Sequence, residues 1–210
     1  MSQKKEFTIT AYTENHVGLL HRLSMIFTRR QINIESLTTS ESEQEGIHRF
    51  TIAVTETEEA VRKVVAQIEK QIEVLRAAYF ERTEVVQQEL ALYKLPTETL
   101  TDGLEVERIV RQHNARFLTI ERRFVVVEKS GYRRETKALF DELKPFGITE
   151  FVRSGRIAVS RSESTLLELP SVNGALSSSS SSSANGSANA SANGSIHASG
   201  ASNESGQEGG

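Results

Sequence analysis

The chain has 210 residues, with 25 basic and 28 acidic side chains and a formal charge of −3. That length allows one large or two small domains, and the balanced charge leaves no electrostatic footprint for nucleic acid or anionic lipid. Cysteine is absent, which excludes disulfides and thiolate metal sites. The N-terminus leads straight into an alternating segment rather than an apolar run, so neither a signal peptide nor a membrane span is expected, and a soluble cytoplasmic protein is the default.

In chain order, Phe7-Thr8-Ile9-Thr10-Ala11 alternates with the period of a half-buried strand. Glu14-Asn15-His16 makes a polar turn, and Asn15 or His16 precedes a helix. From Gly18 on, Leu19, Leu20, Leu23, Ile26 and Phe27 fall at helical spacing and predict one buried stripe. Arg29 and Arg30 suit the negative end of the helix dipole. Ile32-Asn33-Ile34 opens a second strand, Ser40 to Gly46 reads as a hairpin loop, and Phe50, Ile52 and Val54 mark a third strand. A second amphipathic helix carries Val61, Val64, Val65, Ile68 and Ile72, and Val74 to Tyr79 is a fourth strand.

The order β-α-β-β-α-β predicts one antiparallel sheet with both helices on one face. The other face is expected to be open and available for association. Residues 81–88 are polar and read as a linker. The pattern then repeats over 89–162. Glu89 to Leu95 is a strand, Val106, Ile109 and Val110 mark a helix, and 117–120 and 124–128 are two strands. A helix opened by Gly131 carries Ala138, Leu139, Phe140 and Leu143. Ile148 to Val152 follows as a strand, with a short one at Ile157-Ala158-Val159. The predicted class is therefore α+β: two consecutive ferredoxin-like units, residues 1–80 and 89–162. Residues 163–210 are rich in Ser, Ala, Asn and Gly, a composition that predicts a disordered tail dispensable for the core activity.

No catalytic motif is found: no Walker A pattern, no Rossmann glycine triplet and no Gly-x-Ser-x-Gly elbow. His16 and His21 are five apart, which does not place them on one helical face, and the acidic residues fit a solvated surface. The chemistry is concentrated in the stretch Glu14 to Leu37. Asn15 can be read as a helix cap and Gly18 as a sterically required small residue. Alternatively, the first free N–H groups of the helix bind a carboxylate. Asn33 either lies on the solvated face or adds donor and acceptor capacity. Turn, helix start and second strand are expected to meet at one edge of the sheet, where a small zwitterion would fit.

Asn15-x-x-Gly18-x-Leu20-x-Arg22-Leu23, then Phe27 and Asn33-Ile34-Glu35-Ser36-Leu37, resembles the small regulatory subunit family of acetolactate synthase within the ACT-domain superfamily. Leu90 to Leu95 is similar to the opening strand of that family's second domain, and Val152 to Arg161 to its closing segment. The resemblance implies a non-catalytic chain without a cofactor of its own. Its partner would be a large catalytic subunit holding thiamine diphosphate, Mg and FAD, which makes acetohydroxyacids for valine, leucine and isoleucine synthesis. The small subunit raises that activity and makes it sensitive to a branched-chain amino acid, usually valine. The resemblance also implies a homodimer through the ACT domains. Asn15, His16, Val17, Gly18, Leu19 and Leu20 would then hold the effector from one chain, with Asn33 and Ile34 reaching it from the other. Gln31, His21 and Ile32 depart from the family pattern. The alternative reading is a free-standing ACT-type amino-acid sensor acting on another enzyme.

Overall fold

The computed structural model describes residues 3–101 and 104–163, so the predicted tail from 164 onward lies outside the described residues. The first unit runs β1 (Lys5–Glu14), α1 (Leu19–Arg29), β2 (Ile34–Glu41), β3 (Ile47–Glu56), α2 (Glu58–Ile68) and β4 (Val74–Glu81). Its sheet has the order β2-β3-β1-β4, antiparallel throughout. Phe7, Ile9 and Ala11 alternate onto the helix side. There they meet Leu19, Leu23, Ile26 and Phe27 of α1 and Val61, Val64, Val65 and Ile68 of α2 in one core.

The second unit runs β5 (Val85–Pro96), α3 (Glu98–Thr101), α4 (Glu105–Gln112), β6 (Arg116–Ile120), β7 (Phe124–Gly131), α5 (Arg133–Leu143), β8 (Glu150–Arg153) and β9 (Ile157–Ser160). Its sheet order is β6-β7-β5-β8, the same arrangement as the first. Ala91, Tyr93 and Leu95 of β5 pack with Val106 and Val110 of α4 and Leu139 and Leu143 of α5. Tyr93 donates from its hydroxyl to the Thr136 carbonyl at 2.6 Å and lies against Phe151, ring centroids 5.2 Å apart. Two ferredoxin-like units are thus present.

Several local expectations change. Leu20 is 46% exposed and Ile72 is 96% exposed. Leu20 turns outward from the α1 stripe, and Ile72 lies past the end of α2. Asn33 lies just before β2, and Gly131 ends β7 instead of opening α5. Ala138 is exposed. A 3-10 turn spans Arg82–Glu84 and β5 already begins at Val85, so most of the stretch read as a linker is regular structure.

The second face of the first sheet is not open. Val85 to Gln88 at the start of β5 pair with Ile157 to Ser160 of β9, and this pair lies against that face. Arg49, on the same face as Thr51, donates to the Ala158 carbonyl at 2.5 Å. Ser36 accepts from the Arg156 N–H at 2.9 Å, Gln87 donates to Glu6 at 3.4 Å, and Arg156 pairs with Glu6 at 2.8 Å. Thr8, Thr10 and Tyr12 of β1 are accordingly buried, as are Phe7, Ile9 and Ala11 on the other side.

Two outcomes test this packing. A Cβ at Gly155 would lie 2.7 Å from the Leu37 carbonyl oxygen and closer still to Thr38 Oγ1. Gly155→Ala is therefore expected to destabilise by about 1–3 kcal/mol in a denaturant melt, the ordinary cost of overpacking, with faster amide exchange at β9. Tyr93→Phe removes one buried hydrogen bond and is expected to cost about 1 kcal/mol. Burial pushes the Tyr93 phenol above its ordinary value of 10.0. The wild type is fully stable below that value and loses stability as pH rises above it, because the unfolded phenol ionises and the folded one resists. Tyr93→Phe is expected to flatten that alkaline slope.

Candidate functional site

The turn between β1 and α1 is built by backbone bonds. The Glu14 N–H donates to the Glu73 carbonyl at 2.8 Å, and the Asn15 N–H to the Gly46 carbonyl at 3.2 Å. His16 bonds back to Glu14, and Leu19 to His16. Gly18 occupies the N-cap position at φ 83°, ψ −5°, a left-handed conformation that favours glycine. Asn15 is therefore not the helix cap. No side chain caps α1 and its first turn has no acidic residue. The N–H groups of Val17, Gly18, Leu20 and His21 have no acceptor among the described residues.

The other long helix of this unit shows the usual arrangement. Thr57 accepts from the Ala60 N–H at 3.3 Å, and Glu58 and Glu59 occupy the first turn. The contrast leaves α1 with an N-terminus whose donors have no acceptor among the described residues, an end that can receive an anion. Apolar groups stand beside those donors: Val17 is fully exposed and Leu20 about half exposed. Leu19, by contrast, is buried in the core and shapes the site only from beneath. The Asn15 side chain is exposed. An outward amide, free backbone donors and exposed aliphatic carbons can together take a carboxylate, an ammonium and a branched side chain.

Arg22, one turn into α1, pairs with Glu73 at 2.5 Å. That bond, followed by Glu73's own backbone contact, holds the Glu73 carboxyl below its ordinary value. The pair fixes the start of α1 beside the entry to β4. His16 lies 3.8 Å from Glu14, and no group of three potential metal ligands occurs among the described residues. Within those residues, no helix is long and apolar enough to cross a membrane.

Asn33 and Ile34 are not at this edge. In register, Ile34 faces Val54 and Val54 faces Phe7, whereas Glu14 faces Ile47. Asn33 thus lies beyond one end of the sheet and Asn15 beyond the other. They are separated by seven strand residues, roughly 23 Å at about 3.3 Å per residue. Turn and second strand do not meet within one chain, because a β-α-β crossover leaves its two strands parallel and α1 returns the chain to the starting end. Asn33 is exposed, and β2 is an edge strand whose outer side is unpaired among the described residues.

The sequence reading missed what holds β2 from behind. Ser36, three residues after Asn33, accepts from Arg156, whose guanidinium reaches Glu6. Partners this distant in sequence carry no periodicity or spacing that would pair them.

Comparison with known proteins agrees with the two-unit fold. Residues 9–76 match the family described as the AHAS small subunit-like ACT domain, and residues 88–162 match the small subunit of acetolactate synthase. The chain is 36% identical to the acetolactate synthase small subunit of Bacillus subtilis, over 73% of this chain and 89% of that one. It is 32% identical to the same subunit of Mycolicibacterium smegmatis, over 73% and 90%. The crystal structure of the small subunit from Thermotoga maritima superposes with a TM-score of 0.69 at 25% identity, covering 76% of this chain and 99% of that one. The matches over both units, and the identity to relatives across most of their length, place this chain in the acetolactate synthase small-subunit family.

Proposed function

We propose that the chain is a regulatory subunit that binds a branched-chain amino acid, valine foremost, and passes its occupancy to a large catalytic subunit of acetolactate synthase. The uncapped N-terminus of α1 carries this reading. Four N–H groups without acceptors, an exposed Asn15 and exposed apolar carbons at Val17 and Leu20 fit a small aliphatic amino acid. The chain does no chemistry on that ligand. Thiamine diphosphate, Mg and FAD belong to the large subunit, and the assembly is cytoplasmic.

The site is completed by a second copy. A two-fold axis that sets β2 antiparallel against its mate brings each Asn33-Ile34 to the far end of the partner's sheet. That is the end at which Asn15 and Gly18 lie. The separation of the two half-sites in one chain supports this pairing, and so does the unpaired edge of β2. Residues 1–80 then form the effector-binding and dimerising unit, with 89–162 as a second unit joined through 81–88. A ligand gripping both chains favours one dimer geometry over another, and the large subunit responds to that difference.

Calorimetric titration of valine, leucine and isoleucine into the purified chain tests the site. Saturable binding of at least one is expected. Gly18→Asp is the informative variant: Asp tolerates the left-handed region better than most residues, and the space around Gly18 is open. Its charge would occupy the helix N-terminus and repel a carboxylate. Binding is expected to weaken at least about tenfold, an equilibrium change of roughly 1.4 kcal/mol, while activation of the large subunit persists. Unchanged binding in Gly18→Asp would remove α1 from the site.

A further inference from the structure

The even-numbered residues of β5 make one continuous exposed face. Gln87 turns toward the first sheet, and Ala91, Tyr93 and Leu95 toward the second core, so Val86, Gln88, Leu90 and Leu92 point the other way. In register, Val86 faces Val159, Gln88 faces Ile157 and Leu92 faces Val152, and residues directly opposite share a face. Val86 and Leu90 are 39% exposed, Val152 51%, Val159 56% and Ile157 61%. Scattered apolar side chains are normal on a surface, but aliphatic ones set side by side form a patch of the kind that marks an interaction site.

The patch borders the β2 edge. β9 reaches Arg49 of β3 while β5 reaches Glu6 of β1, so with the sheet order β2-β3-β1-β4 the outer side of β9 is turned toward β2. A groove of about 420 Å³ joins the two, with Thr38 and Ser40 on one side and Val86, Ile157 and Val159 on the other. β2 itself offers eight residues, mostly polar. Pairing two such edges is a narrow contact, whereas a specific dimer buries about 800 Å² on each partner. The dimer proposed above therefore needs further surface next to β2, and this patch is the apolar surface found there.

The face also suits its own mate. The ionisable side chains that β5 to β8 place on it are already paired within the chain, Lys94 with Glu150 at 3.5 Å and Glu128 with Arg116 at 2.8 Å. No unpaired like charges on these strands then meet across a two-fold axis. Glu41 and Glu43, which border the groove at the hairpin, fall at opposite ends of an antiparallel β2 pair. A two-fold axis that joins the sheets edge to edge is perpendicular to them, which sets both second units on one side with the two β9 strands next to the axis.

We propose that a second copy of this chain covers the aliphatic face of β5 and β9, as the apolar part of an interface whose hydrogen-bonded part is the β2 pair. This contact rests on the two-fold dimer proposed for the effector site and brings the second unit into it. Dimerisation then clamps β9 as well as β2, so an effector held across the β2 pair acts on both units of both chains.

Sedimentation velocity of the full chain over a dilution series tests this, with Ile157→Thr/Val159→Thr as the variant. Threonine keeps the β-branched shape, and both positions are exposed in the single chain, so the diluted variant should match the wild type in circular dichroism. The wild type is expected to dimerise, and the variant's dimer dissociation constant to rise at least about tenfold, since the symmetry strips apolar groups from both copies. The chain has no cysteine, so Ile157→Cys supplies a single thiol. That thiol should be protected from a maleimide in the dimer and exposed on dilution, while Lys63→Cys, on the exposed side of α2, should react equally at both concentrations. A wild-type chain that stays monomeric at every concentration would remove the β2 pair and this contact together. A wild-type dimer that the double variant leaves equally tight, with the thiol at 157 equally reactive throughout, would overturn the contact at β9 alone and leave the β2 pair standing. Loss of large-subunit activation in a double variant whose dimer is unchanged would also overturn it, and give the face to the large subunit.

Discussion

A buried guanidinium holds the two halves of this chain together. Arg156 is almost fully enclosed, and its charge is balanced by Glu6 at 2.8 Å while its backbone N–H donates to Ser36. Burying a charge is tolerable only with such a partner, and removing one member of a buried pair leaves the other uncompensated. The loop 154–156 therefore has one workable position, pressed against β2 so closely that only glycine fits at 155. From that contact β9 runs along the second face of the first sheet and pairs with the start of β5. β5 then continues for its remaining length as an inner strand of the second sheet, between β7 and β8.

This arrangement gives the proposed regulation a material route. The strand held by Arg156 through Ser36 and pressed by Gly155 is β2, which begins at Ile34 just after Asn33, the two residues proposed to touch effector in the partner chain. A shift in β2 on ligand binding acts directly on Arg156, and through β9 on β5 and the second unit. The coupling runs through hydrogen bonds and a close backbone approach, which have discrete rather than graded arrangements. The uncapped α1 is the complementary feature. Its missing acceptor is a small cost to the isolated helix, and a bound carboxylate removes it.

Much of this was legible in the sequence where one physical signal dominated. The apolar stripe at Leu19, Leu23, Ile26 and Phe27 reports burial on one helix face. Period-two alternation marks Phe7 to Ala11 as a strand with Phe7, Ile9 and Ala11 on the core side, although Thr8 and Thr10 are buried as well and the strand is not half-buried. Leu20 and Ile72 were misread, because an apolar residue at helical spacing looks the same whether it faces a core or solvent. Residues 85–88 read as a linker because the buried side of β5 carries Gln87 there, with Glu89 next on the same side. The Gln87 amide donates to Glu6 and the Glu89 carboxylate meets Thr136 and Arg153, and no local pattern announces partners so distant. The covered face of the first sheet was missed for the same reason. The separation of Asn15 from Asn33 was implicit in the β-α-β order, since the crossover fixes the two strands as parallel, yet proximity in the motif suggested proximity in space.

The most direct measurement of a site shared between two chains is complementation. Gly18→Asp subunits lack one half-site and Asn33→Ala subunits lack the other, so each alone should leave the large subunit active and insensitive to valine. Mixing them and allowing dimers to exchange gives heterodimers with one intact site each, roughly a quarter of all sites in a random mixture. Partial valine inhibition that returns only in the mixture is the expected result. A mixture as insensitive as its two components would mean that Gly18 and Asn33 do not serve one site across the dimer.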